Sequence, residues 1–308
     1  MTRDREGLLL GLLGVLAFSM SLPATRLAVP GFGPLIVSLG RADVAALIAG
    51  TVLFLRHEAF PGRQYLRSLL TIGGGVVIGF PLLTSYALKR VPASHGAVVI
   101  ALLPAATAVC AVLLAGERPP RAFWGAVVFG MITVLAFAAI QGAGRPHRED
   151  VLLLGAVVLA GIGYAEGGRL SRDLGGWRVI SWALVVTAPF LLPFVLIDAA
   201  HRSFDPKLSA WFGLGYVCVV SMYLGFLAWY KGLALGGIAR VSQIQLAQPV
   251  LSLVWAWLFL SESIGWEEIV AGLLVIGSVV LTRRYRFQPG AATNAAPVDG
   301  LALVDQAG

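Results

Sequence analysis

Along this chain, long apolar runs alternate with short polar stretches almost from end to end. Ten runs can be drawn, at about 7–29, 34–55, 66–88, 94–115, 121–140, 151–171, 177–197, 209–231, 240–261 and 266–284. Each is about 20 residues long, which at ~1.5 Å per residue matches a hydrocarbon layer of ~30 Å. A water-soluble core would break such runs every ten or so residues. The pattern therefore predicts an all-α membrane protein with ten transmembrane helices. The first run follows Arg3 and Arg5 as a signal peptide would, but it is too long for one and more runs follow, so it is read as an uncleaved first helix. The polar stretch 288–308, rich in Ala, Pro, Asn and Asp, predicts a disordered tail on the cytoplasmic side.

The pattern also repeats. Pro104 is followed 13 residues later by Glu117, and Pro249 is followed 13 residues later by Glu262, the two pairs lying 145 residues apart. A Gly-x4-Gly pair follows each, Gly125 with Gly130 and Gly272 with Gly277. Further matches join Gly7–Gly11 to Val151–Gly155, Arg26-Leu27 to Arg169-Leu170, and Tyr86 to Tyr230. Two copies of one module follow, 1–145 and 146–287. Five crossings is an odd number, so the copies enter the membrane in opposite directions. Such inverted pairs enclose a central cavity near the bilayer midplane.

Composition sharpens this reading. Hydrophobic residues make up 58% of the chain and charged ones 13%, about half the charged share of an ordinary soluble domain. The net charge of +7 comes from basic residues scattered between the runs, without the basic groove of a nucleic-acid binder. With a cytoplasmic N-terminus, the inner segments hold 15 Lys and Arg and the outer loops 6. By the positive-inside rule both termini then face the cytoplasm, in the inner (plasma) membrane of a bacterium. Cys110 and Cys218 fall inside runs, where they act as small apolar residues. No metal-ligand spacing, HExxH, GxSxG or P-loop occurs in the sequence, so neither an enzyme nor a cofactor site is expected.

The ten runs, the five-plus-five repeat and the segments Pro104…Glu117 and Pro249…Glu262 with their following glycine helices resemble the EamA-type transporters of the drug/metabolite transporter superfamily. The likeness spans residues 5–286. Within that superfamily the chain is most similar to the YddG-type exporters of aromatic and other neutral amino acids. The resemblance implies a basket in which crossings 1, 3, 4, 6, 8 and 9 line the cavity and 2, 5, 7 and 10 support it, with transport outward from the cytoplasm. Many members carry a tryptophan in the middle of the first crossing. This chain has Phe18-Ser19-Met20-Ser21 there, which bears on substrate rather than fold.

Polar side chains inside a crossing cost ~2.5 kcal/mol or more against lipid, so each marks a cavity or a helix contact. Glu166 is read either as a cavity carboxylate that receives a substrate ammonium or a coupling proton, or as the partner of Arg169 one turn on. Tyr164 beside it is a cavity candidate. In the stretch Ser242-Gln243-Ile244-Gln245-Leu246-Ala247-Gln248-Pro249, Gln245 and Gln248 share one helical face, and they are expected to bind substrate. His95 is the second coupling candidate, or a solvated rim histidine. Phe80, Tyr86 and Tyr223 are candidates for holding an apolar side chain. Gly79, Pro81, Pro104 and Pro249 mark hinges. Glu117 and Glu262 are read as structural, accepting the N–H groups that open the fifth and tenth helices.

These residues point to a monomeric secondary transporter that exports neutral and aromatic amino acids, or related metabolites, by alternating access, with the proton as candidate coupling ion. Hydrophobic or cationic drugs are the alternative cargo. Sugar phosphates fit less well, because basic residues are scarce at mid-depth. A channel lacks a visible filter sequence.

Overall fold

The computed structural model describes residues 3–91, 96, 99–140, 148–248, 250–252, 255 and 258, and among these every regular element is helical. His95, Pro249, Glu262, the tenth apolar run and the C-terminal stretch lie outside the described residues. Helical residues run from Arg3 to Leu55, and a single helix of that length would measure about 80 Å, more than twice a bilayer. The chain breaks at Gly33 (φ 77°, ψ 159°), a conformation open to glycine, followed by Pro34. Residues 3–32 and 34–55 are called α1 and α2. Then come α3 (Arg63–Ala87), α4 (Leu103–Ala115), α5 (Arg121–Ile140), α6 (Asp150–Leu174), α7 (Gly176–Ala200), α8 (Leu208–Gly236) and α9, which opens at Ile238. The segments Arg3–Leu55, Arg63–Ala87, Asp150–Leu174, Gly176–Ala200 and Leu208–Gly236 are each long and apolar enough to cross a membrane.

Lipid offers helices no hydrophobic reason to associate, so close backbone packing must do it. Glycines supply that packing here. A Cβ on Gly7 would lie 2.7 Å from Gly236 Cα, and one on Gly232 would lie 2.7 Å from Gly11 N. Gly14 faces Trp229, Gly225 faces Ala17, and Gly213 faces Ala28. Residue numbers rise along α1 as they fall along α8, so the two helices are antiparallel. The same holds for α3 and α6, where Gly75 meets Gly163, Gly79 meets Leu159 and Leu83 meets Gly155. By contrast, α4 runs parallel to α6: Ala106 packs on Gly161 and Glu117 reaches Arg172. α9 runs parallel to α1, with Val241 on Gly11 and Ser252 donating to the Ser19 carbonyl at 2.7 Å.

Large apolar side chains such as Leu47, Phe54, Leu113, Ile132, Val151, Phe190, Phe194 and Ile197 are exposed on the outer faces, where lipid solvates them. Buried hydroxyls return to the carbonyl one turn back, as with Ser38 to Pro34, Thr107 to Leu103 and Thr187 to Ala183. The helices are not α-helical throughout. π-helical turns occupy Ile36–Gly40, Gly73–Gly79 and Tyr216–Leu224, and a 3-10 turn occupies Gln243–Ala247.

The glycine contacts predict a sharp contrast between neighbours. Gly75→Leu would drive a side chain into the Leu159 carbonyl, which lies 2.5 Å from a Cβ there, at a cost of about 1–3 kcal/mol. Gly74→Ala meets nothing within 4 Å and is expected to be neutral or slightly stabilising. Thermal unfolding of the two variants in detergent checks this, and equal shifts would contradict the packing.

Candidate functional site

A cavity lies where α1, α2, α3, α4, α6, α8 and α9 converge. Its wall includes Phe18, Ser21, Arg41, Phe80, Leu103, Tyr164, Ser221, Phe226, Gln245 and Gln248. Four of the five non-α turns among the described residues adjoin this wall, the 3-10 turn Arg63–Tyr65 that opens α3 lying apart: Ile36–Gly40 leads into Arg41, Gly73–Gly79 holds Val76 and precedes Phe80, Tyr216–Leu224 holds Ser221 and Met222, and Gln243–Ala247 holds Gln245. Departures from α-geometry cluster at functional sites because they re-aim side chains and free backbone groups. In α3 the Phe80 N–H bonds the Gly75 carbonyl five residues back, just ahead of Pro81, which has no N–H to give. In α4 the helix turns out of register at Ala101-Leu102 and restarts with Pro104 in its first turn, a position where the missing donor costs nothing.

The wall carries polar groups among its rings. Ser21 and Ser221 are hydrogen-bonded at 2.6 Å, joining α1 to α8. Gln245 lines the same wall as Tyr164, and its Oε1 is buried without a partner. Arg41 is 6% exposed, its Nε is buried without a partner, and it forms no ion pair with a described residue. Gln243 faces away from the cavity and donates to the Pro104 carbonyl at 3.2 Å, tying α9 to α4.

One end of the cavity is closed by aromatic rings. Phe18 lies 5.0 Å from Phe226 and 5.9 Å from Trp229, Tyr164 lies 5.4 Å from Trp229, and Phe226 lies 5.4 Å from Tyr230, centroid to centroid. The Tyr230 hydroxyl donates to the Gly163 carbonyl at 3.1 Å and fixes the layer to α6. Beyond the rings, toward the N-terminal end of α1, comes a layer of ion pairs: Glu166 with Arg169 (2.6 Å), Glu117 with Arg172 (2.5 Å), Glu58 with Arg178 (2.7 Å), Glu6 with Lys231 (2.9 Å) and Asp4 with Arg240 (3.2 Å). The opposite face has Arg90 with Glu149 and Arg202 with Asp198.

Glu117 is the centre of that layer. It is 4% exposed and accepts from the Ile238 and Ala239 N–H groups at 2.8 Å each, besides Arg172. Expected to cap α5, it caps α9 instead. The packing of α4 on α9 brings the end of one beside the start of the other, and the two N–H groups that open α9 have no partner in their own helix. The anion thus sits at a helix N-terminus, where the backbone dipole favours it, and not merely at the end of α4, where it would not.

The expected site residues divide. Phe80, Tyr164, Gln245 and Gln248 meet in the cavity wall. Tyr223 is buried but turns to α7, its hydroxyl 3.1 Å from Ser181 Oγ. Tyr86 is 42% exposed with Lys89 over its ring at 5.5 Å. Glu166 binds Arg169 through both carboxylate oxygens and is absent from the wall, and Arg169 in turn donates to Ser68 on α3. Two groups were missed. Arg41 lies inside or at the edge of the second apolar run and is left out of the inner and outer charge counts; the structure puts it in the cavity wall. The Ser21–Ser221 bond joins residues 200 positions apart and has no local signal.

Apolar helices long enough to cross a bilayer, gathered round a cavity with polar groups in its wall, define a multi-pass membrane transporter. The EamA-like transporter family model matches the chain twice, over residues 5–139 and 147–284, and the chain belongs to that family. An uncharacterized transporter of Bacillus subtilis, YdeK, is 45% identical over 92% of this chain and 99% of its own length. A probable terminal-alkyne amino-acid exporter of Streptantibioticus cattleyicolor is 26% identical over 88% of this chain and 91% of its own. A solved crystal structure, 17% identical, matches 90% of this chain and 98% of its own with a TM-score of 0.75, a likeness of fold.

Glu117→Ala removes a helix cap and an ion pair together, and a loss of about 1–3 kcal/mol is expected. A double-mutant cycle with Arg172→Ala isolates the pair, with a coupling of about 0.5 kcal/mol or more expected from thermal unfolding in detergent. Independent, additive losses would contradict the shared layer.

Proposed function

We propose that the chain is a secondary transporter that exports neutral and aromatic amino acids, or closely related small metabolites, across a bacterial inner membrane by alternating access. The observation that carries this reading is the central cavity, whose wall draws on both family repeats and combines aromatic rings with amides, hydroxyls and one cation. A small solute with an apolar side chain and a polar head matches that division. The amino-acid exporter among the relatives supports the substrate class.

The helix pairs support an inverted relation between the repeats. If α1 corresponds to α6 and α3 to α8, then the antiparallel pair α1 and α8 has its counterpart in α6 and α3. The parallel pair α4 and α6 has its counterpart in α9 and α1. A cavity of about 40 Å³ has room for water but not for an amino acid, so the two halves must move apart to load it. The aromatic layer and the ion pairs seal the end where the N-terminus lies, which the positive-inside rule makes cytoplasmic. Loading from the cytoplasm would then break the Glu117 cap and part the rings, and the π-helical and 3-10 turns at cavity depth are where the helices would flex. Cationic drugs fit less well, since Arg41 is a positive charge in the wall and no described wall residue is a carboxylate.

Uptake of radiolabelled phenylalanine or threonine into proteoliposomes holding the purified protein is expected to be saturable and to be competed away by the unlabelled compound. Gln245→Ala is expected to raise the half-saturation concentration about tenfold, the loss of a hydrogen bond to a charged group. Running the assay with and without a proton gradient reads the coupling. No flux above empty vesicles for any amino acid, with drug cations moving instead, would overturn the assignment.

A further inference from the structure

Arg41 is a costly residue in its place. A charged side chain within a crossing is disfavoured by ~2.5 kcal/mol or more, and such groups are ordinarily paired with an opposite charge or hydrogen-bonded to backbone. Arg41 has neither among the described residues. No described carboxylate lies within ion-pair distance, no described residue hydrogen-bonds its guanidinium, and its Nε is buried without a partner. Asp43 is close in sequence, but two residues turn a helix by about 200°, so it projects to the other side of α2 and forms no ion pair with Arg41. Both Asp43 oxygens are themselves without partners.

What surrounds the guanidinium is the cavity. Tyr164 and Gln245 line that cavity with it. Gln245 Oε1, in the same wall, is a buried acceptor with nothing to accept. The cavity lining therefore includes an unused cationic fork and an unused amide oxygen together with the rings of Phe18, Phe80 and Phe226. The five donors of a guanidinium fit the two oxygens of a carboxylate, and the amide oxygen fits an N–H donor beside it.

We propose that Arg41 is the carboxylate anchor of the cavity and that Gln245 accepts from the neighbouring donor of the same ligand. The proposal rests on the cavity being the transport site and names the chemistry the cavity selects: a free carboxylate is required, and a free amine alone does not suffice. Arg41 comes from α2, which the family resemblance assigns to support rather than lining. The π-helical turn Ile36–Gly40 immediately before it alters the register with which α2 presents this residue inward.

The test is isothermal titration of the purified full-length protein in detergent with phenylalanine, threonine, 3-phenylpropionate and phenethylamine. Binding of at least one carboxylate, none of phenethylamine, and a loss of about 10- to 100-fold in carboxylate affinity in Arg41→Gln are expected. Arg41→Lys, which keeps the charge and loses the fork, should fall between. Three results would overturn the proposal: phenethylamine binding as well as phenylalanine, wild-type carboxylate affinity in a monodisperse Arg41→Gln, or no binding of any carboxylate to the wild type. The comparison among ligands on the wild type stands even if the variants do not fold. Carboxylate binding without flux in proteoliposomes would leave the anchor in place and refute export, and binding of 3-phenylpropionate alone would keep the anchor and remove the amino acid.

Discussion

Everything in this molecule answers to one constraint: inside a hydrocarbon layer a polar group has no water to fall back on, and an apolar helix gains nothing by leaving lipid for a neighbour. Helices must then be held by close van der Waals approach, and glycine permits it. Gly7, Gly11, Gly232 and Gly236 bring the backbones of α1 and α8 together, and Gly75 and Gly163 do the same for α3 and α6. The buried serines and threonines obey the same constraint by bonding the preceding turn. Once the close pairs are fixed, the remaining helices have few places to go. The cavity is the space that the close pairs leave between them.

Several exceptions to the constraint meet at the cavity. The three π-helical turns, the 3-10 turn Gln243–Ala247, Arg41 and the unsatisfied Gln245 amide line or adjoin its wall, while the unsatisfied Asp43 and Gln243 oxygens lie outside it. Their convergence on one cavity is what a binding site for a polar solute needs. The two ends of the cavity are treated differently. Stacked rings and five ion pairs, with Glu117 binding α6 and α9 at once, close the end near the N-terminus. Within that layer Glu117 ties Arg172 of α6 to the first N–H groups of α9.

Much of the fold was legible because membrane helices are encoded locally. Apolar runs marked the helices, five segments of which are long and apolar enough to cross a membrane; the paired prolines and glutamates pointed to the two family matches, and the hinge mark at Gly79 falls at the end of a π-helical turn. Within the site, Gln245, Gln248, Tyr164 and Phe80 stood out as polar or aromatic residues in apolar runs, and all four line the cavity. What escaped was set by distance along the chain. The partner of Glu117 lies 121 residues away, across the packing of α4 on α9, so local logic assigned it the nearer helix. For Glu166 the sequence left two readings open, a cavity carboxylate or the partner of Arg169, and the structure bonds both its oxygens to Arg169. Arg41 carried a usable signal, a charge inside the apolar run 34–55, but the ends of such runs are uncertain and it was given no role in the cavity.

The central claim is that the cavity faces both sides of the membrane in turn and is closed to the cytoplasm in the conformation described. The most direct measurement is site-directed labelling of Ser221→Cys in a background lacking Cys110 and Cys218, with a membrane-impermeant thiol reagent applied from one side of oriented vesicles at a time. The account predicts labelling from both sides, with the cytoplasmic rate raised several-fold when Glu117→Gln weakens the ion-pair layer. Labelling from one side alone, unchanged by Glu117→Gln, would contradict it.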